Sequence, residues 1–144
     1  MQPKLKNRNA SGLLRCILHI ATALVPSVVS AIDWTGTSGA FGAGANWAGG
    51  VVPSATTANI ANSGTASITT GNVYSVTTLS LGNFSGVGSI SQDGGSITAT
   101  SQVMIGGTNT NGGTGTGVYT ISGGTLTSSS GNEFWVGTRG GTGT

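Results

Sequence analysis

From Ala66 onward the chain alternates apolar and small polar residues in short runs. Examples are Ala66-Ser67-Ile68-Thr69, Ser89-Ile90-Ser91, Ile97-Thr98-Ala99 and Tyr119-Thr120-Ile121. A period of two places one set of side chains on one face of a pleated strand. Thr, Val, Ile and Tyr favour that backbone, while the intervening Gly71-Asn72, Gly94-Gly95 and Gly123-Gly124 pairs supply the φ > 0 conformations of turns. No apolar stripe of helical period runs through residues 32–144. Glycine at this density would also cost about 1 kcal/mol per position in a helix. The pattern predicts an all-β chain of many short strands.

The strands repeat as a group. Leu79-Ser80-Leu81-Gly82, Val103-Met104-Ile105-Gly106 and Phe134-Trp135-Val136-Gly137 end alike, with glycines 24 and 31 residues apart. Upstream of the second and third lie a short strand, a Gly-Gly turn and another short strand. The alignment sets Val87–Ser91, Ser96–Ala99 and Val103–Ile105 as one coil and Val118–Ser122, Thr125–Ser128 and Phe134–Val136 as the next. A unit this short cannot bury its own apolar face, but stacked units bury a continuous column. The expected fold is a right-handed parallel β-helix, a solenoid of about three coils. A small antiparallel sandwich, whose strands also recur every 8–12 residues, is the competing architecture.

Two segments fall outside the repeat. Residues 32–62 concentrate Trp34, Phe41, Trp47 and Pro53 in a Gly-rich stretch, which suits an aromatic N-terminal cap over the open end of the column. Residues 63–144 then form the repeats. Residues 1–31 read as a secretory signal peptide: Lys4, Lys6 and Arg8 are its basic region and Cys16 to Val25 its apolar stretch. Pro26 breaks that stretch, and Val29-Ser30-Ala31 offers small residues for cleavage after Ala31. The apolar run is too short to span a bilayer, which takes about 20 residues. The chain stops within Gly140-Gly141-Thr142-Gly143-Thr144, the counterpart of the Gly112–Thr116 loop, so it reads as the beginning of a longer, truncated protein.

Charge changes the picture only by position. The formal net charge of +2 for all 144 residues comes from the leader. Beyond it stand Asp33, Asp93, Glu133 and Arg139, a net −2, with no Cys, His or Lys. A basic nucleic-acid surface is thereby excluded, as is thiol, imidazole or amine chemistry in residues 32–144. The three acids are too dispersed for a carboxylate pair at the roughly 5–10 Å that glycoside chemistry needs. Gly112-Gly113-Thr114-Gly115-Thr116 lacks the Asp of a Ca²⁺-binding nonapeptide, and it has neither the Lys nor the following helix of a phosphate loop. Thr-x-Thr pairs do not fall on one strand of every coil, as an ice-binding face would need. No catalytic, metal or cofactor residue is expected. Trp34 and Trp47 are expected as cap residues, with stacking on sugar rings as their alternative role, which makes them the candidate glycan contacts.

The pattern Trp34-Thr35-Gly36 … Asn46-Trp47 … Gly50-Val51-Val52-Pro53, then Gly117-Val118-Tyr119-Thr120-Ile121-Ser122-Gly123-Gly124-Thr125-Leu126-Thr127 and the Phe134–Gly137 ending, resembles bacterial surface proteins built from autotransporter-associated β-strand repeats. Similar stretches occur in exported proteins with a PEP-CTERM-type sorting anchor. The resemblance covers about residues 32–144. It implies a non-enzymatic β-helical passenger, structural or adhesive, displayed at the cell surface or outer membrane or released. Its partners would be polysaccharide or other cell-surface components, with membrane contact only through a region beyond Thr144. The alternative is the scaffold part of a secreted carbohydrate-active enzyme whose catalytic region lies beyond that residue.

Overall fold

A computed structural model describes residues 30–108, 113–129, 131 and 133–144. The expected leader lies outside the described residues up to residue 29, as do Cys16 and His19. Nine strands follow in order: β1 (Ile32–Asp33), β2 (Ser38–Ala40), β3 (Thr57–Ile60), β4 (Asn62–Ile68), β5 (Val73–Leu81), β6 (Val87–Ile105), β7 (Thr116–Ser128), β8 (Phe134–Val136) and β9 (Thr142–Gly143). Every strand pairing between them is parallel. The strands stack as coils of a β-solenoid of about four turns.

The ladders define three faces. On the first, Ile32, Ala58, Leu79, Val103 and Phe134 lie in register through β1, β3, β5, β6 and β8. On the second, Gly39, Ala66, Ile90 and Tyr119 stack through β2, β4, β6 and β7. On the third, Tyr74, Ile97 and Leu126 stack through β5, β6 and β7. The coil alignment expected from the repeat is therefore the observed one, with Ile90 over Tyr119, Ile97 over Leu126 and Val103 over Phe134. The sandwich is ruled out because its strands would pair antiparallel.

The alternation sets the interior. Ala58, Ile60, Ala66, Ile68, Val76, Leu79, Leu81, Ile90, Ile97, Ala99, Val103 and Ile105 turn inward and are buried in one cluster. Parallel sheets need both apolar faces covered, usually by helices. Here the three inner faces cover one another, and the outer sides carry Ser, Thr and Asn.

One local expectation changes. Separate short strands were expected around each Gly-Gly turn, yet β6 runs unbroken for 19 residues across all three faces. The corner is absorbed as irregular register between Gln92, Asp93 and Ser96 while pairing to β7 continues on both sides. Gly95 makes the bend with φ +66°, and a Cβ there would lie 2.5 Å from the carbonyl oxygens of Asn72 and Thr69 in the coil beneath. Glycine is thus required twice at this corner, by the left-handed backbone and by the approach of the neighbouring coil.

The N-terminal end is closed. β1 and β2 extend the first two faces, and β3, within the expected cap, is already a full rung. Two short 3-10 turns, Gly44–Asn46 and Ala48–Gly50, follow β2. They carry Trp47 against Trp34 and Phe41, with ring centroids 4.9 Å apart in both pairs and edge-on geometry. Phe41 in turn packs on Tyr74, at 4.7 Å.

Candidate functional site

The outer sides of the coils form the surface a partner meets. On the second face Thr65, Ser89 and Val118 point outward in register, beside the column Ser67, Ser91, Thr120. Thr65 Oγ1 and Ser89 Oγ share a hydrogen bond of 2.6 Å, and Ser67 Oγ donates to Gly39 O. On the third face Ser75, Thr98 and Thr127 form another such column. Thr98 over Thr127 and Ser96 over Thr125 is the register read from the repeat. The result is a neutral surface of ordered hydroxyls over a rigid ladder.

The acids stay apart. Asp33 lies on β1, Asp93 at the corner between the second and third faces, and Glu133 just before β8. Glu133 Oε2 accepts from Gln102 Nε2 at 3.0 Å, a contact along the ladder. Among the described residues no three His, Cys, Asp or Glu gather as a metal site, and no helix is long and apolar enough to cross a membrane.

Both candidate glycan contacts are internal. Trp34 and Trp47 are each only 2% exposed, so neither presents an indole face on which a sugar ring could stack. The cap role accounts for their burial, since an apolar column needs large side chains to seal its end. Trp47 Nε1 donates to Phe41 O at 2.6 Å, whereas the buried Trp34 Nε1 has no acceptor.

Two polar features went unread in the sequence. Gln92 continues the inward alternation after Ile90 and is 1% exposed. Its amide donates to Gly95 O and Thr125 O, each at 3.2 Å, and its carbonyl accepts from the Tyr119 hydroxyl. Burial raises the Tyr119 phenol well above its usual 10.0. Period two alone would have placed Gln92 inside. The second feature is a cleft of about 310 Å³ beside the cap, lined by Asp33, Trp34, Asn59, Ala61 and Asn62. Asn59 Nδ2 donates to Asp33 Oδ1 at 2.7 Å, while Asn59 Oδ1 is buried without a partner. Asn62 is occupied, donating across to Gly36 O in the preceding coil and accepting from Gly64 N in its own turn. No local pattern signals this cleft, because Asp33 and Asn59 meet only when β1 lies on β3.

Comparison of the chain with protein-family models, with curated proteins and with solved structures finds no match.

Proposed function

We propose that this chain is an exported, non-enzymatic β-solenoid passenger that works by display at a bacterial cell surface, as a structural or adhesive element. The observation that carries the reading is the pairing of a continuous parallel backbone ladder with outer columns of Ser and Thr hydroxyls in register. Such a ladder holds its outer groups at a fixed spacing of about 4.8 Å, set by main-chain hydrogen bonds. Low charge and abundant hydroxyls suit broad, weak contact with polysaccharide or neighbouring surface components rather than electrostatic capture. Export rests on the leader's basic region, apolar stretch and small residues before Ala31.

The test is expression in a Gram-negative host with a C-terminal epitope, followed by fractionation, protease treatment of intact cells and N-terminal sequencing. The expected product begins at Ile32 and lies outside the cytoplasm, in the periplasm or the medium. A product retained inside the cytoplasm with its leader intact overturns the proposal.

A further inference from the structure

Phe84 is out of place on two counts. It stands in the turn between β5 and β6 with φ +54°, a left-handed backbone that bulky side chains rarely adopt and that glycine takes without strain. It is also 60% exposed and takes no part in the core cluster, so burial in the core does not offset that strain. The turn is nonetheless well fixed. Gly86 N donates to Asn83 O and Phe84 N to Asn83 Oδ1, each at 2.9 Å. The same turn recurs two coils on at Thr138-Arg139-Gly140-Gly141, where Gly141 N donates to Thr138 O at 3.0 Å and the exposed Arg139 has φ +52°. This corner of the solenoid twice accepts backbone strain to hold a large side chain outward.

What surrounds the ring sets the chemistry of a partner. Ser85 beside it is exposed and Asn83 half-buried. The next coil returns directly over the turn: Thr116 N donates to Gly86 O at 2.8 Å, and a Cβ on Gly115 would lie 3.0 Å from Phe84 O. That return brings Thr114, exposed, and Thr116, half-buried, to the same corner. Val87, 45% exposed, opens β6 three residues after Phe84. The patch is one aromatic ring and one Val among hydroxyls and an amide, with no charged residue in 82–87 or 113–117. A dry apolar partner would strip water from those hydroxyls without replacing their hydrogen bonds. A partner with its own hydroxyls replaces them, and the weakly positive C–H groups on the flat side of a sugar suit the negative face of the phenyl ring.

We infer that Phe84 is a contact residue for a neutral glycan, an exposed ring on which a sugar stacks while Asn83, Ser85 and Thr114 meet its hydroxyls. The ligand class rests on the reading of the chain as a surface passenger that meets polysaccharide. Fractionation and N-terminal sequencing test export without any glycan, so an exported chain that fails the titration below loses this inference alone. An aromatic held for contact rather than for folding carries a definite signature. Replacing it with glycine stabilises the fold and weakens binding.

The experiment titrates the ¹⁵N-labelled full chain with the hexasaccharides of cellulose, xylan, mannan and β-1,3-glucan, following backbone amides by NMR. The expected result is a saturable shift centred on Phe84 and Ser85 with at least one of them, half-saturating in the millimolar range proper to a small footprint. Phe84→Leu, which keeps apolar bulk but loses the ring, should weaken binding about tenfold, whereas Phe84→Tyr should retain it. Val73→Ala, on the third face, should leave it unchanged. Phe84→Gly should bind as poorly as Phe84→Leu and melt about 4 °C above the parent chain. No shift with any hexasaccharide overturns the inference. Undiminished binding by Phe84→Leu also does so, since stacking is then not the contact. So does a lower Tm in Phe84→Gly, since Phe84 then serves folding.

Discussion

At the scale of single residues, the solenoid depends on a few positions where side-chain size is decided by the neighbouring coil. Gly71 and Gly95 occupy equivalent corners with φ +85° and +66°. A Cβ on Gly71 meets nothing within 4 Å, whereas one on Gly95 runs into the Asn72 and Thr69 carbonyls. Gly71→Ala should therefore cost only the left-handed backbone strain, about 1–2 kcal/mol. Gly95→Ala should cost more, because the ladder must also shift; urea unfolding of the two variants reads the difference. Ile97, fully buried between Tyr74 and Leu126, gives the interior counterpart. Ile97→Ala should lose about 2–5 kcal/mol. Val73→Ala, at a residue 78% exposed, should stay within about 0.5 kcal/mol.

At the scale of elements, what joins β6 to β7 is partly polar. The Tyr119 hydroxyl donates to Gln92, and Gln92 bridges to Thr125 O. Burial holds the Tyr119 phenol above its usual 10.0, so the folded chain resists losing this proton more than the unfolded chain does. The resulting stability is complete below about pH 10 and is lost as pH rises through the raised folded value. Tyr74 shifts the same way through burial, opposed in part by a backbone hydrogen bond from Gly42. Thermal unfolding should therefore show a midpoint that falls once the pH passes about 10, the ordinary tyrosine value. In Tyr119→Phe the fall should be shallower, since only Tyr74 remains to titrate in the core. An equally steep fall in that variant would mean that the buried Tyr119 phenol is not a source of the pH dependence. The bridge was legible in part, as Gln92 keeps the inward phase of Ile90, but its partner lies 27 residues away and is set by the stacking register.

At the scale of the whole molecule the two ends differ. The N-terminal end is sealed by Trp34, Phe41 and Trp47, all at most 2% exposed. Toward the other end Ile121, Phe134 and Val136 are about half exposed, and β8 pairs only with β6 among the described residues. Unpaired edges with apolar side chains template further pairing. Residues 32–144 taken as an isolated fragment should self-associate as concentration rises, as read by sedimentation velocity, and Phe134→Lys should suppress it. A chain that stays monomeric at high concentration would contradict an open last rung. At the sealed end Trp47→Ala should cost about 3–5 kcal/mol, because no neighbour can fill the space it leaves.

The amino-acid sequence by itself determined what depends on local sterics. Period-two alternation chose strands, glycine pairs placed the corners, and the recurrence of one three-strand unit set coil upon coil in the register that the ladders show. The Gly-Gly corners were legible as positions but not as bends inside one continuous strand, because hydrogen bonding to the next coil carries the ladder through them. Only the tertiary structure decided which tryptophan surfaces stay dry and which polar groups meet. Trp34 and Trp47 looked equally suited to sealing a core or stacking on a sugar, and burial depends on what folds over them. Asp33 and Asn59, 26 residues apart, share a cleft because the intervening chain closes one coil and returns to the same face. The length of that return is a property of the stacked ladder, so no single segment encodes it.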